Sequence, residues 1–143
     1  MKKEDLMIGD WVNIQSEKDD EPMYSQVEQL WECEIDADFQ TDYENVHPIE
    51  LTEEILRKNG FKNDVLAEKS IIAEGASNFS VILISEDNRI MINNIDEYLN
   101  SFNTWHVHID TEDMRTMCTA EITYVHELQH LLKLCKIEKE IVL

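Results

Sequence analysis

A chain of 143 residues, 43% apolar and 30% charged, can form one domain with its own core or two very small units packed together, and it is neither disordered nor fibrous in composition. Its 31 acidic residues against 12 basic ones leave a net charge of −19. That balance argues against a face built on phosphates and against an anionic membrane surface.

The start, Met1-Lys2-Lys3-Glu4-Asp5, has no apolar run of signal-peptide length behind it, and no stretch is long enough for a membrane helix. Cys33, Cys118 and Cys135 are odd in number and form no Cys-x-x-Cys pair. Free, buried thiols in the cytoplasm are expected.

Residues 1–47 read as a small β unit. In Ile8–Ile14, Val12 and Ile14 share one face while Trp11 and Asn13 share the other. Ser16–Pro22 reads as a loop. Trp31, Cys33 and Ile35 alternate with Glu32, Glu34 and Asp36, as in a half-buried strand, and Phe39–Asn45 reads as an acidic turn. Short strands this closely spaced suggest a barrel-like, SH3-like unit. Asp36, Asp38 and Asp42 share part of a calcium-loop spacing. Thr41 stands where that loop needs glycine and His47 where it needs its closing glutamate, so a solvated acidic loop is the better reading.

Residues 48–143 read as helix, antiparallel sheet, helix. Thr52 can cap a short helix whose first turn carries Glu53 and Glu54 and whose last carries Arg57 and Lys58. Gly60 can end it, with Phe61 folding back on Leu56. Ile71–Ala73 and Phe79–Ile84 read as strands, the latter apolar on both faces and central, followed by a Glu86-Asp87-Asn88 hairpin turn into Arg89–Ile92. Asn93–Asn103 reads as a polar connection. Trp105, Val107 and Ile109 line one face of a further strand, leaving His106 and His108 on the other. Trp11, Trp31 and Trp105 are all expected in core packing. Asp110, Glu112 and Asp113 are placed near the start of the final helix.

That helix is expected over about Thr119–Lys136, with Tyr124, Val125, Leu128, Leu131, Leu132 and Cys135 as an apolar stripe. His126, His130 and Lys133 fall opposite the stripe, with Glu127 beside them, on what reads as a solvated face. His126-Glu127-Leu128-Gln129-His130 matches His-Glu-x-x-His, in which paired imidazoles can hold Zn²⁺ and the glutamate can act as general base. A catalytic zinc needs a third protein ligand. Lys133 and Lys136 stand where the extended motif has glycine and histidine, so that ligand would have to be His106, His108 or a carboxylate such as Asp110.

The segment Pro48-Ile49-Glu50-Leu51-Thr52-Glu53-Glu54-Ile55-Leu56 through Gly60-Phe61 is followed by Val107-His108-Ile109-Asp110 and then Tyr124-Val125-His126-Glu127-Leu128-Gln129-His130-Leu131-Leu132. Together these resemble a set of small uncharacterised proteins of Bacteroides-type gut bacteria, their phages and their mobile elements. No activity is assigned to that family, so the resemblance implies no catalytic residues. In such proteins the position of Glu127 can look like glutamine and that of His130 like asparagine. The resemblance thus implies that Leu128, Gln129 and the apolar stripe are a structural signature and the full metal motif incidental.

The expectation is an α+β protein, a single compact domain over residues 1–143. Its first functional reading is a non-enzymatic, acidic accessory protein of phage or mobile-element context that binds a basic protein partner, without metal or other cofactor and without direct contact to nucleic acid or membrane. The alternative is a zinc-dependent hydrolase with Glu127 as base and zinc on His126, His130 and either His106 or His108. A ligand-free subunit recognised only through its assembly is the third.

Overall fold

The computed structural model describes residues 1–15, 22–32, 34–63, 79–84, 88–94, 104–111, 113 and 115–143, with backbone only at 39, 79–81 and 94. The expected loop 16–21, Cys33, strand 71–73, turn residues 86 and 87, the connection 95–103 and Glu112 lie outside the described residues.

The fold is α+β, with strands predominating. β1 (Trp11–Ile14) pairs antiparallel with β2 (Met23–Gln26) and with β6 (Val46–His47). β4 (Glu34–Ala37) pairs with β3 (Gln29–Leu30) and β5 (Phe39–Asp42), making a second three-stranded sheet. Val12 and Ile14 point inward as their alternation requires, and meet Leu6, Val27, Ile35, Ala37 and Val46 in one apolar cluster. Among the described residues the two sheets do not close into a ring of hydrogen-bonded strands.

Two expectations fail here. Phe39–Asp42 is a strand and not part of a turn, because the chain reverses at Asp38, which takes φ +57°. Aspartate tolerates that left-handed geometry better than most residues, and Ser25 Oγ–H donates to Asp38 Oδ2 at 2.5 Å to hold it. Trp31 is not core: it sits 51% exposed between β3 and β4.

α1 (Glu53–Lys58) is built as its caps dictate. Thr52 Oγ1 accepts from the Ile55 amide at 3.3 Å. Gly60 adopts φ +84°, and the Phe61 amide reaches back to the Leu56 carbonyl while Gly60 reaches Arg57, both within 3.1 Å. That is a Schellman stop, and Leu56 and Phe61 are both buried beneath it.

The larger sheet runs β11-β10-β9-β8-β7 and is antiparallel throughout. Its strands are β7 (Lys62–Asn63), β8 (Phe79–Ile84), β9 (Asn88–Asn94), β10 (Trp105–Thr111) and β11 (Thr116–Ile122). β8 lies inside the sheet between β9 and β7, as a central strand should, and among the described residues β7 contributes two residues to its far side, while Ile84 at its end is 73% exposed. Trp105, Val107 and Ile109 share a core with Ile90, Ile92 and the helix α2 (Val125–Leu134) through Val125, Leu128 and Leu132.

The final helix is shorter than its stripe implies. Residues 116–122 pair with β10, placing Thr119 opposite His108 and Ala120 opposite Val107. Thr123 and Tyr124 precede the helix, Tyr124 with extended backbone, and Leu51 N–H donates to the Thr123 carbonyl while Val125 N–H donates to the Ile49 carbonyl. Asp110 lies buried in β10 at a register shift, a full strand away from the helix start. No helix of the described residues is long and apolar enough to cross a membrane.

α2 also ends in a Schellman turn: Ile137 N–H donates to Leu132 and Lys136 N–H to Lys133. Lys136 occupies the left-handed position at φ +57°. A side chain there crowds its own backbone, and glycine does not. Lys136→Gly is therefore expected to raise folding stability by about 0.5–1 kcal/mol, read as a higher urea midpoint at unchanged slope.

Candidate functional site

The polar face of α2 meets the segment Met7–Trp11, which enters β1 through Gly9 at φ +89°. Gln129 is buried and bridges two backbone groups: its Oε1 accepts from Trp11 N–H at 3.0 Å and its Nε2 donates to the Gly9 carbonyl at 2.9 Å. At the next residue, His130 Nε2 lies 2.7 Å from Asp10 Oδ2. That oxygen also accepts from the Met7 amide at 2.6 Å. Asp10 is fully buried. Lys133 closes the row by donating to the Ile8 carbonyl at 2.9 Å, with its Nζ 4.0 Å from Asp10 Oδ1.

The expectation of a solvated face is thus corrected. His126 is only 5% exposed and Gln129 only 7%. A polar stripe satisfies its hydrogen bonds equally well on water or on a backbone segment with matching donors and acceptors. This chain uses the second option.

Glu127 occupies the third position of the helix, and its Oε2 accepts from the Thr123 amide at 2.7 Å and the Tyr124 amide at 2.9 Å. It caps the helix start, satisfying donors that have no partner within the helix and adding negative charge at the dipole's positive end.

His126 stacks on Tyr124, ring centres 5.7 Å apart and 12° from parallel, and meets His130 edge-on at the same distance. Its Nδ1 is buried with no hydrogen-bond partner. With Asp5, Pro48, Tyr124, Glu127 and His130 it lines a cleft of about 350 Å³. Burial lowers the His126 pKa from its ordinary 6.5, against the opposing pull of Asp10, Glu127 and Asp5; the neighbouring His130 adds to the lowering. The folded chain therefore holds this ring neutral below the pH at which the unfolded chain protonates it. Stability from this group is complete above 6.5 and drains as pH falls from there to the folded-state value. Wild type is expected to lose urea resistance as pH falls below about 6.5, and His126→Phe to lose less; equal losses would remove His126 as the cause.

The proposed third ligands are not brought to this cleft. Trp105, Val107 and Ile109 face the helix, so His106 and His108 lie on the far side of the sheet, His106 with its Nδ1 3.5 Å from Glu121. No three His, Cys, Asp or Glu side chains gather as a metal site among the described residues. Cys118 and Cys135 are free and partly buried, and burial, with Cys118 beside it, raises the Cys135 thiol's pKa.

No known protein family, curated protein or solved structure matches the chain. Its site must be read from its own residues. Asp10 is the member that sequence reasoning missed. The available signal was a lone carboxylate inside the run Met7-Ile8-Gly9-Asp10-Trp11-Val12, where a charge with no neighbour to pair with calls for a distant partner.

Proposed function

We propose that this chain is a non-enzymatic acidic accessory protein that binds a basic protein partner. The observation that carries the reading is the internal use of the metal motif's polar atoms. Glu127 caps a helix, Gln129 bridges two backbone groups and His130 pairs with Asp10. Catalysis by that motif would require the carboxylate to address a bound water. Meanwhile Asp10 and Asp110 are the only buried acids among the described residues, and the other described acids lie at least partly at the surface. Such a field speeds encounter with a cationic partner and weakens with salt.

The test is capture on immobilised protein from extract, followed by affinity measurements with the purified partner. Binding should weaken about tenfold or more between low and high salt. Salt-independent binding, or a partner without a basic face, would overturn the reading. The resemblance of segments 48–61 and 124–132 to proteins of mobile elements supplies the proposed context.

A zinc-dependent hydrolase is the second reading, and one observation favours it: the unpartnered, buried Nδ1 of His126 beside His130 in a cleft that also holds Glu127. Stoichiometric zinc on elemental analysis, with hydrolysis lost in Glu127→Gln, would establish it over the first.

We further read residues 1–47 as SH3-like. The stretch from β2 through Val27 into β3 serves both three-stranded sheets, a 3-10 turn at Tyr43–Asn45 precedes β6, and β6 returns to β1. A single apolar cluster lies between the sheets.

A further inference from the structure

The outer face of the β2-β1-β6 sheet forms the floor of a second cleft, of about 640 Å³. Asn13 stands opposite Tyr24 across one strand pair and opposite His47 across the other, and Trp11 lies two residues away on the same face. The far wall is the extended stretch from Pro48 and the first turn of α1, which contribute Ile49, Glu50 and Glu54.

Three features of this cleft point to one kind of occupant. Tyr24 is 50% exposed, and the Trp11 indole N–H is already donated to the Ile141 carbonyl, which leaves the ring carbons to line the cleft. Glu50 and Glu54 are exposed at the rim, and neither has a cationic partner among the described residues. The cations of α1 are engaged elsewhere: Arg57 pairs with Glu53, and Lys58 donates to the Leu143 carbonyl. Among the described residues no lysine or arginine lines the cleft.

We infer that this cleft receives an arginine-bearing extended segment of the basic partner, its guanidinium against Tyr24 and its charge facing Glu50 and Glu54. The assignment rests on the proposed function and names its docking surface. A planar guanidinium can lie on an aromatic face while donating paired hydrogen bonds to a carboxylate, and it sheds its water more readily than an ammonium. The volume lies within the range of sites that enclose a small ligand or a few side chains.

The test titrates a fluorescent Arg-Gly-Arg-Gly-Arg peptide into the full chain and follows anisotropy. Tyr24→Ala should raise Kd about threefold to tenfold. The pair Glu50→Gln and Glu54→Gln should weaken binding by about fivefold or more, and the likewise exposed pair Glu138→Gln and Glu140→Gln by less than about twofold. Equal losses in the two pairs would overturn the cleft assignment while leaving a general acidic attraction in place. Absence of peptide binding would also overturn it, whereas salt-independent capture of the natural partner would overturn the reading beneath. A concentration-dependent dimer abolished by Tyr24→Ala would put a second copy in the cleft and likewise refute the assignment.

Discussion

Asp10→Ala is expected to lower folding stability by about 2–4 kcal/mol, the largest loss of any single polar substitution considered for this chain. The carboxylate is fully buried, accepts from Met7 N–H and pairs with His130, with Lys133 Nζ 4.0 Å away. Its removal leaves the part-buried Met7 amide without its acceptor, His130 without its hydrogen-bond partner and Lys133 without its nearby carboxylate. Asp10→Asn keeps an acceptor for Met7 and should recover part of the loss. Urea titration followed by tryptophan fluorescence measures both. A change under about 0.5 kcal/mol for the alanine variant would mean that the burial cost of the charge cancels its contacts.

Gln129→Ala should cost about 2–3 kcal/mol, since it orphans Trp11 N–H and the Gly9 carbonyl together. Gln129→Glu should be as damaging despite its similar shape, because a carboxylate cannot donate to Gly9 and brings a charge beside Asp10. Here the discriminating measurement is a double-mutant cycle with Asp10→Ala. Both residues hold the same segment to the same helix, so their losses should fall short of additivity; strict additivity would mean that they act independently.

Much of the fold was legible locally. Val12 and Ile14 in β1, the Thr52 cap, the Gly60–Phe61 stop and the alternation of Trp105, Val107 and Ile109 all obey short-range periodicity, and the structure places them as that periodicity demands. The apolar stripe of α2 is legible for the same reason: Val125, Leu128 and Leu132 recur at helical spacing and enter the core. The errors have a common origin. Thr116–Ile122 has no strong period of its own, and its pairing with β10 decides its state. Trp31 is apolar and flanked by a strand pattern, yet the turn at its position carries it outward.

The motif face of α2 was misread because a helix pattern records which residues are polar and not what they touch. Gln129 finds its partners 118 and 120 positions away in sequence, and His130 finds Asp10 at 120. No window along the chain contains both halves of that recognition. The role of Glu127 was within reach, since a glutamate three residues after a helix cap is a local signal, but it became visible only once the helix start had moved to Val125.

The same separations set an order of assembly. Drawing Met7–Trp11 to α2, and the Trp11 indole to Ile141 across 130 positions, closes a loop nearly as long as the chain. Short-range pairings such as β10 with β11 need no such closure. The junction should accordingly form late in refolding, after the larger sheet and its helix have condensed. Refolding of the Gln129→Ala chain should then keep nearly its original speed, and the instability should surface as faster unfolding.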